Sequence, residues 1–204
     1  MFFDDRYDAG EKLAQIVKSQ SKDRWDVVGI ARGGIVIADQ IARALNVETK
    51  AICVEDILTK QGYLTISSLG SGMLFGKKNQ FIKNASTYDI GLYLGSLGKQ
   101  QRITGNLPSN YGSRVLLCDD GIVSGRTVVT AIQCLKNYGV KTVAVAIPVV
   151  LPWVLTQGFQ VFAWRVSKMT NPTTGMFYKN FDDTTDLEAA ELLRKSRRLP
   201  RRPL

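Results

Sequence analysis

Val115-Leu116-Leu117-Cys118-Asp119-Asp120-Gly121-Ile122-Val123-Ser124-Gly125-Arg126-Thr127 joins an apolar run, two acids, a small-residue turn and a helix start without a spacer. Each part has a physical job. Val115 to Cys118 reads as a buried strand, and Val128, Ala131, Ile132 and Leu135 recur at helical spacing up to Gly139. Backbone donors of Val123 to Thr127 at a helix N-terminus, with the Ser124 and Thr127 hydroxyls, can cradle a phosphate, and Gly125 permits close backbone approach. Asp119 and Asp120, adjacent at a strand end, should point to opposite sides and so make a poor acid and base pair for one atom. They suit a diol: one carboxylate accepts hydrogen bonds from ribose hydroxyls and helps hold a hydrated magnesium ion, while the other orients the loop. Two aspartates capping a turn is the plainer reading of the same pair.

The pattern repeats upstream and downstream. Val27 to Ala31 meets Arg32-Gly33-Gly34 and passes into Ile35, Ala38, Ile41, Ala42 and Leu45 at helical spacing, stopped near Asn46. Further strands are expected at Ala51 to Val54, Thr142 to Ile147 and Phe159 to Ala163, with a short helix after Pro152. Strands alternating with helices imply a three-layer α/β/α fold on a central, mostly parallel sheet, with ligands beyond the carboxyl ends of its strands. Asp8 with Glu11 predicts the cap of an N-terminal helix, Ser86 with Asp89 that of a weaker one carrying Tyr93 and Leu97, and Thr185 with Glu188 that of a last one carrying Leu187, Ala190 and Leu193. Leu64 to Leu69 and Met73 to Phe75 read as a hairpin, and Glu55 to Tyr63 as an exposed loop. The N-terminal helix and Lys168 to Asp183 are left to form a small cover.

Composition removes much chemistry. The absence of histidine excludes Ser-His-Asp and Cys-His nucleophile systems and zinc sites that need imidazole. Cys53, Cys118 and Cys134 form no C-x-x-C and no disulfide framework, and Asp4, Asp5, Arg6 and Asp8 stand where a signal peptide needs a basic start. The cytoplasm is the expected location. Thr142 to Trp164 carries no charge, yet Pro148 and Pro152 inside it argue against a membrane span. Of the net charge of +9, most lies in Arg194, Lys195, Arg197, Arg198, Arg201 and Arg202. Residues 1–193 therefore read as one domain and 194–204 as a mobile basic tail, the one place where nucleic acid is considered.

The thirteen-residue stretch resembles the 5-phosphoribosyl 1-diphosphate motif of type I phosphoribosyltransferases, and Gly29-Ile30-Ala31-Arg32-Gly33-Gly34 looks like their pyrophosphate loop. From Phe3-Asp4-Asp5-Arg6 through Gly175 to Phe181 the chain is similar to a sparsely characterised prokaryotic branch of predicted phosphoribosyltransferases. The resemblance implies transfer of phosphoribosyl from 5-phosphoribosyl 1-diphosphate to a nitrogenous acceptor, with magnesium carried mainly on substrate and a homodimeric assembly. Arg32, Asp119 and Asp120 would be catalytic. Arg32, Gly33, Gly34, Asp119, Asp120, Gly121, Ile122, Val123, Ser124, Gly125, Arg126, Thr127 and Tyr178 would bind substrate, Tyr178 or Phe177 by stacking on the acceptor ring. Packing is the plainer role for Phe177 and Phe181. Two departures stand out: Val123 replaces the aspartate base of 6-oxopurine enzymes, and Glu55-Asp56 replaces a basic pair of the branch. The second keeps a non-catalytic phosphoribosyl or nucleotide sensor of the same fold in view.

Overall fold

The computed structural model describes residues 2–76, 78–84, 90–105, 110–121 and 125–198. Strands β1 (Asp26–Ile30), β2 (Thr49–Ile52), β7 (Arg114–Cys118), β8 (Thr142–Val150) and β9 (Val161–Val166) form a parallel sheet in the order β2-β1-β7-β8-β9. Its strands are apolar on both faces because both are covered. Helices α1 (Arg6–Gln20) and α2 (Gly33–Leu45) pack over Val27, Leu116, Ala144 and Phe162 on one side, and α4 (Arg126–Asn137) over Val28, Leu117, Val145 and Ile147 on the other. Helix α2 is buried over most of its circumference, since α5 (Asp186–Arg197) packs beside it. The α/β/α fold class read from the alternation is the one observed.

A second sheet is inserted after β2. Strands β3 (Val54–Thr59), β4 (Gly62–Ser67), β5 (Gly72–Phe75) and β6 (Gln80–Ile82) pair antiparallel in sequence order. One face carries Ile57, Leu64, Ile66, Leu74 and Ile82 against Tyr93 of α3 (Ile90–Thr104), and the other lies on α4. The expected hairpin at 64–75 is present, but the expected loop at Glu55 to Tyr63 is a strand and a tight turn. Its polarity misled the reading: Asp56 and Glu55 face charged partners rather than water alone. The cap expected at Ser86 and Asp89 lies outside the described residues.

Three other expectations shift. Helix α1 begins earlier, because Asp5 rather than Asp8 is its N-cap and accepts from the Asp8 amide at 2.9 Å. It lies in the α layer, and the segment before and at its start reaches the cover, where Phe3 bridges Tyr178 and the amides of Phe2, Phe3, Lys179 and Asn180 tie the two segments together. Strand β8 continues through Pro148, tolerated because β7 stops pairing at Ala146 and the β9 register passes over this residue. At the other end, residues 194–197 are the last turn of α5, with Arg197 3.4 Å from Glu48 and bonded to the Thr104 carbonyl, while residues 199–204 of the expected tail lie outside the described residues. Thr185 caps this helix and Leu193 is buried, both as expected, but Leu187 is exposed and Ala189 and Leu192 are buried beside Leu193 instead. Among the described residues no helix is long and apolar enough to cross a membrane.

Candidate functional site

From β1 the chain turns to β2 and from β7 to β8, so the sheet has its switch point between β1 and β7, where a crevice opens at the carboxyl ends. Two turns meet there. A Cβ on Gly33 would overlap the Asp120 carboxylate, and one on Gly34 would fall 2.5 Å from the Cys118 carbonyl oxygen and 3.0 Å from Asp119 Cα. Only glycine allows this approach, and it joins two motifs far apart in sequence into one site. Both carboxylates reach the glycine turn instead of diverging to opposite sides: Asp119 Oδ1 accepts from the Asp120 amide at 3.0 Å beside Gly34, and Asp120 lies beside Gly33. Gly121 sits under Thr174, where a Cβ would be 2.5 Å from the Thr174 methyl. Gly125 takes φ +73° ahead of α4, with the Trp153 ring pressed on its open side, and Arg126 and Thr127 start the helix. Ile122, Val123 and Ser124 lie outside the described residues.

The electrostatics centre on a residue that the sequence reading missed. Arg6 donates from Nε to Asp120 Oδ2 at 2.7 Å and from Nη1 to the Asp182 carbonyl at 2.6 Å, while its guanidinium lies 3.8 Å from the centre of the Phe181 ring. One planar fork thus ties β7, α1 and the cover. Burial pushes Asp120 up, and the Arg6 hydrogen bond and charge pull it back; Asp119 is held well above the usual carboxylate range by burial and then by the Asp120 charge. Nothing in the sequence shows that an arginine in a first helical turn will be buried. The sole hint was its place in the Phe3-Asp4-Asp5-Arg6 run.

Tyr178 is not placed to stack on a ligand. It is 2% exposed, its ring lies between Phe3 and Phe181, and its hydroxyl donates to the Asp120 carbonyl at 2.6 Å. It holds the turn that carries the acids. Phe177 is buried in the same cluster, as packing required.

Three further ion-pair groupings lie around these turns. Arg32 follows β1 with its side chain 40% exposed, 3.6 Å from Asp186 Oδ1, and Asp186 Oδ2 accepts from Arg102 Nε at 2.9 Å. The Arg102 hydrogen bond, more than Arg32, holds the Asp186 carboxyl below its usual range. Arg126 gives Nε and Nη2 to Asp56 at 2.8 and 2.7 Å, and Glu55 lies 3.8 Å from Lys99. The acids that replace a basic pair are therefore matched to cations. Hydroxyl-accepting carboxylates, glycine turns at helix starts and an exposed guanidinium suit a ligand with anionic ends and a polyol centre.

A model of the phosphoribosyl transferase domain matches residues 4–152. A Mycobacterium tuberculosis protein, provisionally named a phosphoribosyl transferase in two strains, is 26% identical over 211 residues covering 96% of this chain and 47% of the relative. The chain thus spans about half the length of these curated relatives. The crystal structure of a Thermus thermophilus protein is similar with a TM-score of 0.74 and 25% identity, covering 96% of this chain and 99% of that one.

Proposed function

The chain belongs to the phosphoribosyl transferase domain family, and from that premise we propose that it moves the 5-phosphoribosyl group of 5-phosphoribosyl 1-diphosphate onto a nitrogenous acceptor. The observation that carries the reading is the contact of the Arg32-Gly33-Gly34 turn with Asp119-Asp120 at the switch point. In the reaction the anomeric C–O bond breaks, pyrophosphate departs with the electron pair, the acceptor nitrogen forms the C–N bond, and its proton is lost to solvent. The amides of Gly33 and Gly34, together with Arg32, would take the pyrophosphate charge as it grows. Asp119 and Asp120 would accept from the ribose hydroxyls. The turn from Gly121 to Thr127, including Ile122, Val123, Ser124, Gly125 and Arg126, would anchor the 5-phosphate. Catalysis on this reading is positioning and charge stabilisation.

Two carboxylates with hard oxygen donors fit magnesium as supplements to ligands from pyrophosphate, ribose and water. When bound in that way the ion would neutralise part of the leaving-group charge. Tyr178 is withdrawn as an acceptor contact and becomes support for Asp120. Cys53, Cys118 and Cys134, all free and buried, accord with a reducing cytoplasm.

Pyrophosphate release is to be followed with magnesium, 5-phosphoribosyl 1-diphosphate and a panel of nitrogenous bases. Turnover that Asp120→Asn removes supports the transferase, and a folded protein that binds the sugar diphosphate without turnover supports a sensor. The sensor reading has its own observation: Glu55 and Asp56, on a strand rather than a mobile loop, occupy Lys99 and Arg126.

A further inference from the structure

We propose that Asp56 is an internal competitor for Arg126, a carboxylate standing where it lowers the affinity of the neighbouring turn for a 5-phosphate. The inference rests on the phosphate-binding reading of that turn and adds a determinant from the inserted sheet.

Arg126 is the first residue of α4, directly after Gly125, and among the described residues its guanidinium is paired with Asp56 of β3. The grip comes from β3 and β4. Asp56 stands opposite Thr65 in the antiparallel register, and the buried Thr65 hydroxyl donates to Asp56 Oδ1 at 2.7 Å. That bond fixes the carboxylate with Oδ2 turned to Arg126, which reaches it through both Nε and Nη2. Tyr63, two residues before Thr65 and on the same face of β4, lays its ring 3.7 Å from the guanidinium carbon. The carboxylate thus takes the Nε–Nη2 edge of the fork as a phosphate oxygen would, with the ring against the guanidinium face.

A phosphate dianion carries more charge than one carboxylate and accepts more hydrogen bonds, so it draws the same guanidinium. Arg126 cannot offer the Nε–Nη2 edge of its fork to both in this geometry, because those two donors are committed to one Asp56 oxygen. Phosphate binding through that edge then costs the loss of the Asp56 contact, and one of the contacts between the inserted sheet and the start of α4 is released. Asp56 is in this sense a positioning residue: it acts on the ligand through Arg126, and it couples the occupancy of the turn to the placement of the inserted sheet.

The test is calorimetry on the full chain with ribose 5-phosphate and, separately, pyrophosphate. Asp56→Asn should tighten ribose 5-phosphate roughly fivefold or more and leave pyrophosphate unchanged. Thr65→Val, which frees the carboxylate from its orienting bond, should act in the same direction more weakly. Arg126→Gln should weaken ribose 5-phosphate, and in that background Asp56→Asn should have no further effect. Amide exchange in β3 and β4 should speed up when ribose 5-phosphate is added to wild type. Unchanged or weaker ribose 5-phosphate binding in folded Asp56→Asn overturns the competition and leaves the phosphate reading standing. Equal changes for both probes indicate general loosening and overturn it too. Wild type that binds no ribose 5-phosphate removes the phosphate reading and this inference with it.

Discussion

Replacing Arg6 by methionine keeps much of the side-chain volume and removes the guanidinium from a pair whose side chains are only 10% and 17% exposed. Asp120 is then a buried carboxylate without its cation, and the Asp182 carbonyl loses its donor. Breaking such a pair from one side costs about 3–5 kcal/mol, a large part of the roughly 5–15 kcal/mol that stabilises a domain. With a urea slope of about 2–3 kcal/mol/M, the midpoint should fall by about 1–2 M. The sign with pH follows from Asp120, whose carboxyl already titrates above its usual range and rises further without Arg6. A group with a raised native pKa favours folding below its ordinary pKa and loses that contribution as pH rises through the native one. The deficit of Arg6→Met should therefore be largest near neutral pH and shrink as the solution is acidified through the elevated pKa. Urea titrations of both proteins at about pH 7.5 and about pH 5 measure this. A loss under about 1 kcal/mol at the higher pH, or the same loss at both, would refute the assignment of an ionised, Arg6-dependent Asp120.

Arg6→Lys should recover only part of the stability, because an ammonium cannot reach Asp120 and the Asp182 carbonyl while lying flat on Phe181; the same urea midpoints report it. Gly33→Ala should abolish calorimetric binding of pyrophosphate, since its methyl meets the Asp120 carboxylate and forces the two turns apart. Gly125→Ala places a side chain at φ +73° against Trp153 and should lower stability by about 2 kcal/mol or more, with a shift in tryptophan emission as the readout. Tyr178→Phe, which leaves the Asp120 carbonyl without its donor in a buried cluster, should cost about 1–3 kcal/mol in thermal or urea unfolding while keeping the ring packing.

Periodicity made the main sheet and α2 and α4 readable, because strands buried on both faces and helices with one apolar face leave strong patterns in apolar spacing. The acidic stretch on β3 was not readable as a strand, since its charges answer Arg126 and Lys99 across tertiary distances that no local pattern encodes. The two glycine turns could each be found, and the topology explains why they meet, but Arg6 and Tyr178 act through burial that only the packed cover creates. The same limit explains the start of the basic run: residues 194–197 read as tail, yet Arg197 finds Glu48 and the Thr104 carbonyl once α5 lies beside β2. The matched family region ends at residue 152, whereas Tyr178, Phe181 and Asp182 lie beyond it, so what holds Asp120 comes partly from chain outside the shared domain.

The joining of residues 2–4 to 177–180 by backbone bonds has a consequence for biogenesis. During vectorial synthesis the parallel sheet can assemble once β9 has left the ribosome, but the Asp120 carbonyl lacks its Tyr178 donor and Arg6 its second acceptor until the segment through Asp182 has also emerged. Arrested translation products would thus be able to collapse around a core while lacking a finished crevice.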